Sequence, residues 1–404
     1  MFLIALCISV ISCKKHETDP SPQAPWLMTV NFTDEFINPK LKAIVFISDS
    51  RGVSLADTLV SGNPRIVMQG KAAISLPLQV TIAKWEPDMH NFLVSVNTYL
   101  NVYPSEWTIR GNRPVSDGDA TVTLANIPAH SGPILYSTSG YSNLTFITSN
   151  SKNPVYRTPD DLYIRLITQG GQLYKWEHGV IAGNTYETDL SSMGQSQLRA
   201  VTFPFQAQDF KAIVEGNRDT SDISALSQVT DEQIGDGTAV NSVMLGFPAN
   251  VFQNFHTYIE LIESWASPLT YSYSKEGQIP QAFIKTNAMI NLFQTTGSSA
   301  RFAGSGIYSV SKVRWNFQDT ARLAFDWIVY GPDTLSTVKL PLLPPSMTSM
   351  FPTLAPDSLK LYQIELIHYP AIKSWNDFLE MSFSPSTPGR IKRFESSAVR
   401  MQIN

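Results

Sequence analysis

The sequence has few of the residues that form disulfides, thiol nucleophiles or metal sites. Its 404 residues include two cysteines and six histidines. Both cysteines, Cys7 and Cys13, lie in the first thirteen residues, so the rest of the chain depends on apolar burial and strand pairing. The histidines are scattered, and no His-x-His or His-Glu-x-x-His spacing places two ligands on one face at zinc distance. Glu86, Asp88 and His90 could meet a cation, but a solvated polar loop between strands is the favoured interpretation. The sequence therefore predicts no metal site and no cofactor.

Charge is also scarce, at 16% of residues, and the 30 basic and 34 acidic residues leave a net charge of −4. This balance lacks the basic patch of a nucleic-acid-binding protein, and we predict no nucleic-acid partner. The glycine-rich phosphate-binding loops and the Gly-x-Ser-x-Gly nucleophile motif are absent from the sequence. The sequence thus favours a protein that is not an enzyme, but it does not decide between the two.

An apolar run, residues 1–11, opens the sequence and is followed by Ser12 and Cys13. The run is too short to cross a bilayer, which takes about 20 residues, but it suits the apolar part of a secretory signal. A small residue and a cysteine after an apolar core resemble the lipobox of bacterial lipoproteins. The resemblance implies a signal peptide over residues 1–13 and lipidation of Cys13, which would hold the protein to a membrane. Residues 14–25 contain three prolines, which predicts an extended tether.

Short blocks of alternating apolar and polar residues recur through the remaining sequence, separated by turn residues. In Asp119–Ile127, for example, the apolar residues fall at every second position. Such strands at intervals of about 8–12 residues are typical of antiparallel sandwiches. We predict a mainly β protein with two or three tandem antiparallel β-sandwich domains, immunoglobulin-like or transthyretin-like, and few short helices. The predicted domains are residues 26–130, residues 131–240 and a C-terminal mainly-β domain, residues 241–404.

Helical signals are few. A helix capped by Asn250 is expected to run to Ile262, because its apolar residues recur at spacings of three and four. The same residues also partly alternate, which leaves a strand as the alternative. The proline-rich stretch Pro341–Pro356 has no periodicity, which predicts an extended loop. Further short helices are possible at Phe210–Gly216, Ser221–Ile234 and Ile372–Met381.

Aromatic residues make up 11% of the chain, including 8 tryptophans. A flat aromatic face can stack on a sugar ring, and the polar tips of tryptophan and tyrosine suit interfaces. Loops at the ends of strands and helices commonly carry binding residues. The four tryptophans near such ends are candidate ligand contacts, although each could instead fill a core: Trp85, Trp107, Trp176 and Trp265.

The leader and the recurring short alternating strands together resemble the lipid-anchored, multi-domain β proteins of the Gram-negative outer membrane. The resemblance implies an exported protein, periplasmic or surface-facing. The tether, the low charge, the many aromatic residues and the missing catalytic motifs favour a protein that binds a glycan or a protein without catalysis. A structural or assembly subunit, similar to a pilus anchor, is an alternative, in which an exposed sheet edge accepts a partner strand. An enzyme whose site is assembled in space is a third.

Overall fold

Strands form most of the chain in the computed structural model, which confirms the predicted mainly β fold with few short helices. The predicted leader (1–13), with Cys13, and the tether (14–25) up to residue 24 lie outside the described residues. The structure describes residues 25–33, 42–60, 65–70, 75–86, 92–110, 116–156, 158–217, 226–234, 238–318, 323–386 and 389–403.

The strands in chain order are β1 (Trp26–Phe32), β2 (Lys42–Ser48), β3 (Ser54–Val60), β4 (Arg65–Gln69), β5 (Leu78–Trp85), β6 (Phe92–Val102), β7 (Ser105–Ile109), β8 (Gly118–Ala125), β9 (Ser131–Thr138), β10 (Tyr141–Thr145), β11 (Ser151–Val155), β12 (Asp160–Thr168), β13 (Gly171–Val180), β14 (Thr185–Asp189), β15 (Gly194–Gln195), β16 (Gln197–Ala207), β17 (Asp209–Asn217), β18 (Leu226–Ile234), β19 (Val240–Phe247), β20 (Asn254–Ile262), β21 (Leu269–Gly277), β22 (Met289–Thr296), β23 (Ser299–Ser305), β24 (Val310–Gln318), β25 (Leu323–Pro332), β26 (Thr337–Lys339), β27 (Lys360–His368) and β28 (Ser396–Gln402). The α-helices are α1 (Pro345–Met350) and α2 (Trp375–Phe383), and short 3-10 turns span Pro356–Ser358 and Arg390–Arg393. Within the described ranges, neither α-helix is long and apolar enough to cross a membrane.

The largest element is a twelve-stranded sheet in the order β18-β17-β20-β21-β28-β27-β24-β25-β6-β5-β2-β3. Its strands pair antiparallel except where β25 runs parallel to β6, with Leu323 opposite Phe92 and Tyr330 opposite Tyr99. This parallel pair joins the N-terminal strands to the C-terminal strands. The large sheet draws strands from all three predicted domains, whose boundaries remain predictions.

A β-sandwich occupies residues 118–195. One layer is β10-β9-β12-β13-β15 and the other is β11-β8-β14. Every second residue of β8 and β12 points into the core between the layers, as the alternation predicts. The inward residues of these two strands are Ala120, Val122, Leu124, Leu162, Ile164 and Leu166.

Two further cores lie on opposite faces of the large sheet, because successive residues of a strand point to opposite sides. Ile44 and Phe46 of β2 enter the first core, together with the buried rings of Trp315 and Trp327. Val45 of β2 enters the second core, which lies under the small sheet β4-β1-β7 and α2. The second core positions the cavity described below.

The predicted helix from Asn250 to Ile262 is wrong, because residues 254–262 form strand β20. The residues also alternate: Thr257, Ile259 and Leu261 are buried, while His256, Tyr258 and Glu260 are less so. The segment pairs with β17 on one side and with β21 on the other, and these long-range backbone hydrogen bonds stabilise the strand over the helix.

The other helix predictions have mixed outcomes. Residues 210–216 lie in β17, so that predicted helix is a strand. The helix predicted over residues 221–234 is strand β18 at 226–234, and its residues 221–225 lie outside the described residues. The helix predicted over Ile372–Met381 is confirmed as α2, displaced by a few residues. The extended loop predicted over residues 341–356 is wrong in its centre, where α1 begins with a proline, a residue that the first turn of a helix tolerates.

Candidate functional site

Helix α2 forms one wall of the candidate site, and its first turn is fixed by a capping box. The Ser374 hydroxyl accepts from the Asp377 amide at 3.2 Å, and the Asp377 carboxylate accepts from the Ser374 amide at 3.0 Å. The arrangement satisfies amide groups that have no partner within the helix. It also fixes the direction in which Asn376, Glu380 and Phe383 project, since residues three or four apart share a helix face.

Replacing the capping serine should loosen this wall. We expect Ser374→Ala to lower the free energy of unfolding by about 1 kcal/mol, because the Asp377 amide loses its acceptor. Urea unfolding followed by tryptophan fluorescence measures the change. The control is Ser242→Ala, at an exposed serine of β19 that caps no helix, where we expect almost no change. An equal loss in both variants would contradict the capping role.

A cavity of about 460 Å³ lies between α2 and the segment that joins β6 to β7. Its size falls within the usual range for small-molecule sites, about 300–1,000 Å³. The strand side and the helix side each contribute apolar and polar groups. The lining residues on which the argument depends are Tyr103, Glu106, Trp107, Asn376, Glu380 and Phe383.

An aromatic cluster supports this cavity. Trp107 stacks on Phe383 with ring centroids 4.1 Å apart and an interplanar angle of 13°. Tyr99 packs edge-on against both rings, at 5.4 Å and 4.8 Å. Trp107 is only 4% exposed. It therefore shapes the wall of the cavity and holds β7 against α2, while Phe383 covers one face of its ring.

Polar groups and an open aromatic ring complete the cavity. Tyr103 is 55% exposed. The Glu106 carboxylate accepts from the Asn31 amide at 2.8 Å, which holds one of its oxygens in place. Glu380 and Asn376 project from the same face of α2. Tyr103 thus offers a flat surface, and Asn376 and Glu380 offer an amide and a carboxylate on the helix side to a polar ligand.

The structure places the four candidate tryptophans apart. Trp85 is buried in the first core, edge-on to Phe351 at 5.2 Å, and presents no face to a ligand. Trp176 is half-buried, and its indole N–H donates to His178 Nδ1 at 2.9 Å. Trp265 is 56% exposed, between β20 and β21. Only Trp107 lines the cavity.

Sequence reasoning missed the remaining cavity residues. Tyr103 precedes a proline at the end of a long strand, a position typical of an exposed turn. The α2 residues Asn376 and Glu380 are four apart, so their shared face could have been read from the sequence once the helix was predicted. Their position beside the segment that joins β6 to β7 could not, because it depends on α2 packing against the second core.

Comparisons with known proteins identify no family. No family model matches the chain, and no curated protein matches it. One solved structure that the chain is compared with is described as "Crystal structure of tetra-tandem repeat in extending region of large adhesion protein". It is 12% identical, the match covers 84% of this chain and 95% of that chain, and the TM-score is 0.12. A score this low supports no argument about fold or function.

Proposed function

We propose that this protein is a lipid-anchored protein of the bacterial cell envelope that binds a glycan in the cavity between β7 and α2. The observation that carries the proposal is the lining of that cavity, to which the exposed Tyr103 and the polar residues Glu106, Asn376 and Glu380 all contribute.

The chemistry of a sugar matches this lining. One face of a pyranose ring carries C–H groups, which pack on a flat aromatic surface such as Tyr103. Its hydroxyl groups donate well to carboxylate oxygens and exchange hydrogen bonds with an amide such as Asn376. The stacked Trp107 and Phe383 rings keep this geometry fixed before a ligand arrives, and this lowers the entropy lost on binding.

A protein ligand is the second candidate, favoured by the position of β7 in its sheet. Among the described strands, β7 pairs with β1 alone and ends the order β4-β1-β7. An extended peptide could add to such an edge. Because α2 packs beside β7 and closes the cavity on that side, we favour the smaller glycan ligand.

Binding is tested on a glycan array with the full chain purified in detergent. We expect selective binding of one glycan class, and an affinity for that class about tenfold weaker in Tyr103→Ala, equivalent to about 1.4 kcal/mol. Glu380→Gln should weaken binding as well. The matched control is Trp265→Ala, which removes an equally exposed aromatic residue outside the cavity and should bind like the wild type.

Two outcomes would overturn the glycan proposal. One is that the wild-type chain binds no glycan on the array. The other is binding that Trp265→Ala abolishes and Tyr103→Ala retains, which would place the ligand at the turn between β20 and β21.

The lipid anchor is supported by the leader alone and has its own test. In the native host, we expect Cys13→Ser to abolish incorporation of an alkyne-labelled fatty acid and to release the protein from the membrane fraction, because the only proposed acyl attachment point is removed. Cys7→Ser lies inside the leader and is the control, with labelling unchanged. An unmodified thiol at Cys13 of the wild type, found by mass spectrometry, would contradict the anchor.

A further inference from the structure

Three neighbouring strands of the large sheet, away from the cavity, bring a carboxylate, an imidazole and a hydroxyl together. Glu215 of β17 lies directly opposite His256 of β20. Ser274 of β21 lies opposite Tyr258, and is therefore a diagonal neighbour of His256. The preceding residues of these strands, such as Val214 and Tyr273, point into the first core, so the three polar side chains share the opposite face.

The three side chains form a continuous hydrogen-bonded chain. His256 Nδ1 lies 3.1 Å from Glu215 Oε2, and His256 Nε2 lies 2.9 Å from Ser274 Oγ. The side chains of His256 and Glu215 are 23% and 31% exposed, and Ser274 is half-buried. A small molecule can therefore reach the group from solvent.

The direction of these hydrogen bonds follows from the chemistry of the groups. An ionised carboxylate only accepts, so His256 donates its Nδ1 proton to Glu215. In the neutral imidazole the other nitrogen then carries a lone pair, so Nε2 accepts from the Ser274 hydroxyl. This is the order of nucleophile, base and orienting carboxylate that activates serine in acyl-transfer enzymes of unrelated folds.

We propose that Ser274 is a base-activated nucleophile that accepts acyl groups from small activated esters. Ser274 Oγ bonds to the acyl carbon as its proton passes to His256 Nε2, and the ester C–O bond then breaks. The proton on His256 goes to the departing alkoxide, which leaves as an alcohol. Water attacks the acyl-serine by the same route in reverse, releasing the acid and restoring the hydroxyl. Glu215 acts as a positioning residue for the imidazole.

The surrounding sheet limits the substrates. Ser274 lies within the ladders that β21 forms with β20 and β28, where backbone N–H groups pair between strands. Donors directed at a developing oxyanion usually contribute about a hundredfold or more to the rate. A reaction that depends on the base alone needs a good leaving group, so covalent capture is a better readout than turnover.

The test is acylation of the full chain by 4-nitrophenyl acetate and by a fluorophosphonate probe. We expect a single covalent adduct, located on Ser274 by peptide mass spectrometry of the wild-type protein. Ser274→Ala should abolish the adduct, and His256→Gln should slow its formation by about 100-fold, the effect of losing a general base. Ser272→Ala is the matched control, on the same strand and face, and should label normally.

A positioning role for Glu215 predicts slower labelling in Glu215→Gln, partly restored in Glu215→Asp, at an unchanged melting temperature. If the three side chains only link strands, the variants will lower the melting temperature without selective loss of labelling. An adduct elsewhere, no adduct in the wild type, or a rate that His256→Gln leaves unchanged would overturn the proposal. The mapped wild-type adduct decides the matter even if a variant fails to fold.

Discussion

Glu365→Ala should lower the free energy of unfolding by about 3–5 kcal/mol, the usual cost of removing one partner from a buried ion pair. Glu365 lies on β27, on the face of the large sheet opposite the first core, and its side chain is 5% exposed. Its carboxylate contacts Lys312 Nζ at 2.8 Å and Arg400 Nη2 at 3.3 Å. The variant leaves these two partly buried cations without that carboxylate.

Variants at related positions should lower the free energy of unfolding by less. Lys312→Met leaves Glu365 paired with Arg400, and Arg400 itself also contacts Glu260 at 2.9 Å, so we expect a loss of about half that of Glu365→Ala or less. Glu187→Ala removes an exposed glutamate of β14 and should change stability by less than about 0.5 kcal/mol. Urea unfolding measures all three. A loss in free energy of unfolding for Glu365→Ala as small as that for Glu187→Ala would contradict a stabilising role for the ion pairs of Glu365.

The same carboxylate gives the protein an acid-sensitive contribution to stability. Burial alone would raise the pKa of Glu365, but Lys312 and Arg400 hold that pKa below its usual value. A carboxyl group with a lowered pKa in the folded state stabilises the fold above its unfolded pKa, and this stabilisation is lost as the pH falls through the folded pKa. We therefore expect the difference in free energy of unfolding between the wild type and Glu365→Ala to narrow as the pH falls below about 4.5, the ordinary pKa of a glutamate carboxyl.

Trp327→Ala should lower the free energy of unfolding by about 3–5 kcal/mol, as expected for loss of a fully buried tryptophan. Trp327 lies on β25 at the parallel pair that joins the two halves of the large sheet, and it is completely buried. Its indole N–H donates to Thr98 Oγ1 on β6 at 2.9 Å, and Thr98 hydrogen-bonds Thr81 on β5 at 2.8 Å.

Trp327→Phe separates packing from hydrogen bonding at this junction. Phenylalanine keeps most of the apolar contact but removes the donor to Thr98, so we expect a loss of about 1–2 kcal/mol. Trp265→Ala is the control, because that ring is largely exposed, and it should change stability by about 0.5 kcal/mol or less. Chemical unfolding monitored by circular dichroism compares the three. Equal losses for Trp265→Ala and Trp327→Ala would contradict the central position of the β6–β25 junction.

Strand existence could be predicted from the sequence, because alternation is a local property. The alternating stretch 119–127 lies in β8 up to Ala125, with Ala120 and Val122 buried as expected. Strand partnership could not be predicted in the same way. Thr98 and Trp327 are 229 positions apart, and nothing in either strand's pattern specifies that β6 should pair with β25.

The candidate sites show the same division. Trp85 and Trp107 both lie near strand ends, yet both are buried, because neighbouring elements that are distant in sequence cover them. Glu215, His256 and Ser274 come from three strands, and the predicted helix over residues 250–262 concealed their alignment. The apolar residues of that stretch fit both periods, so local pattern alone could not separate helix from strand.

The most direct test of the proposed binding function is a crystal structure of the protein with the glycan that binds most strongly on the array. We expect a sugar ring stacked on Tyr103, with hydroxyl groups within hydrogen-bonding distance of Glu380 and Asn376. A glycan bound at any other surface, with the cavity between β7 and α2 unchanged, would contradict the account.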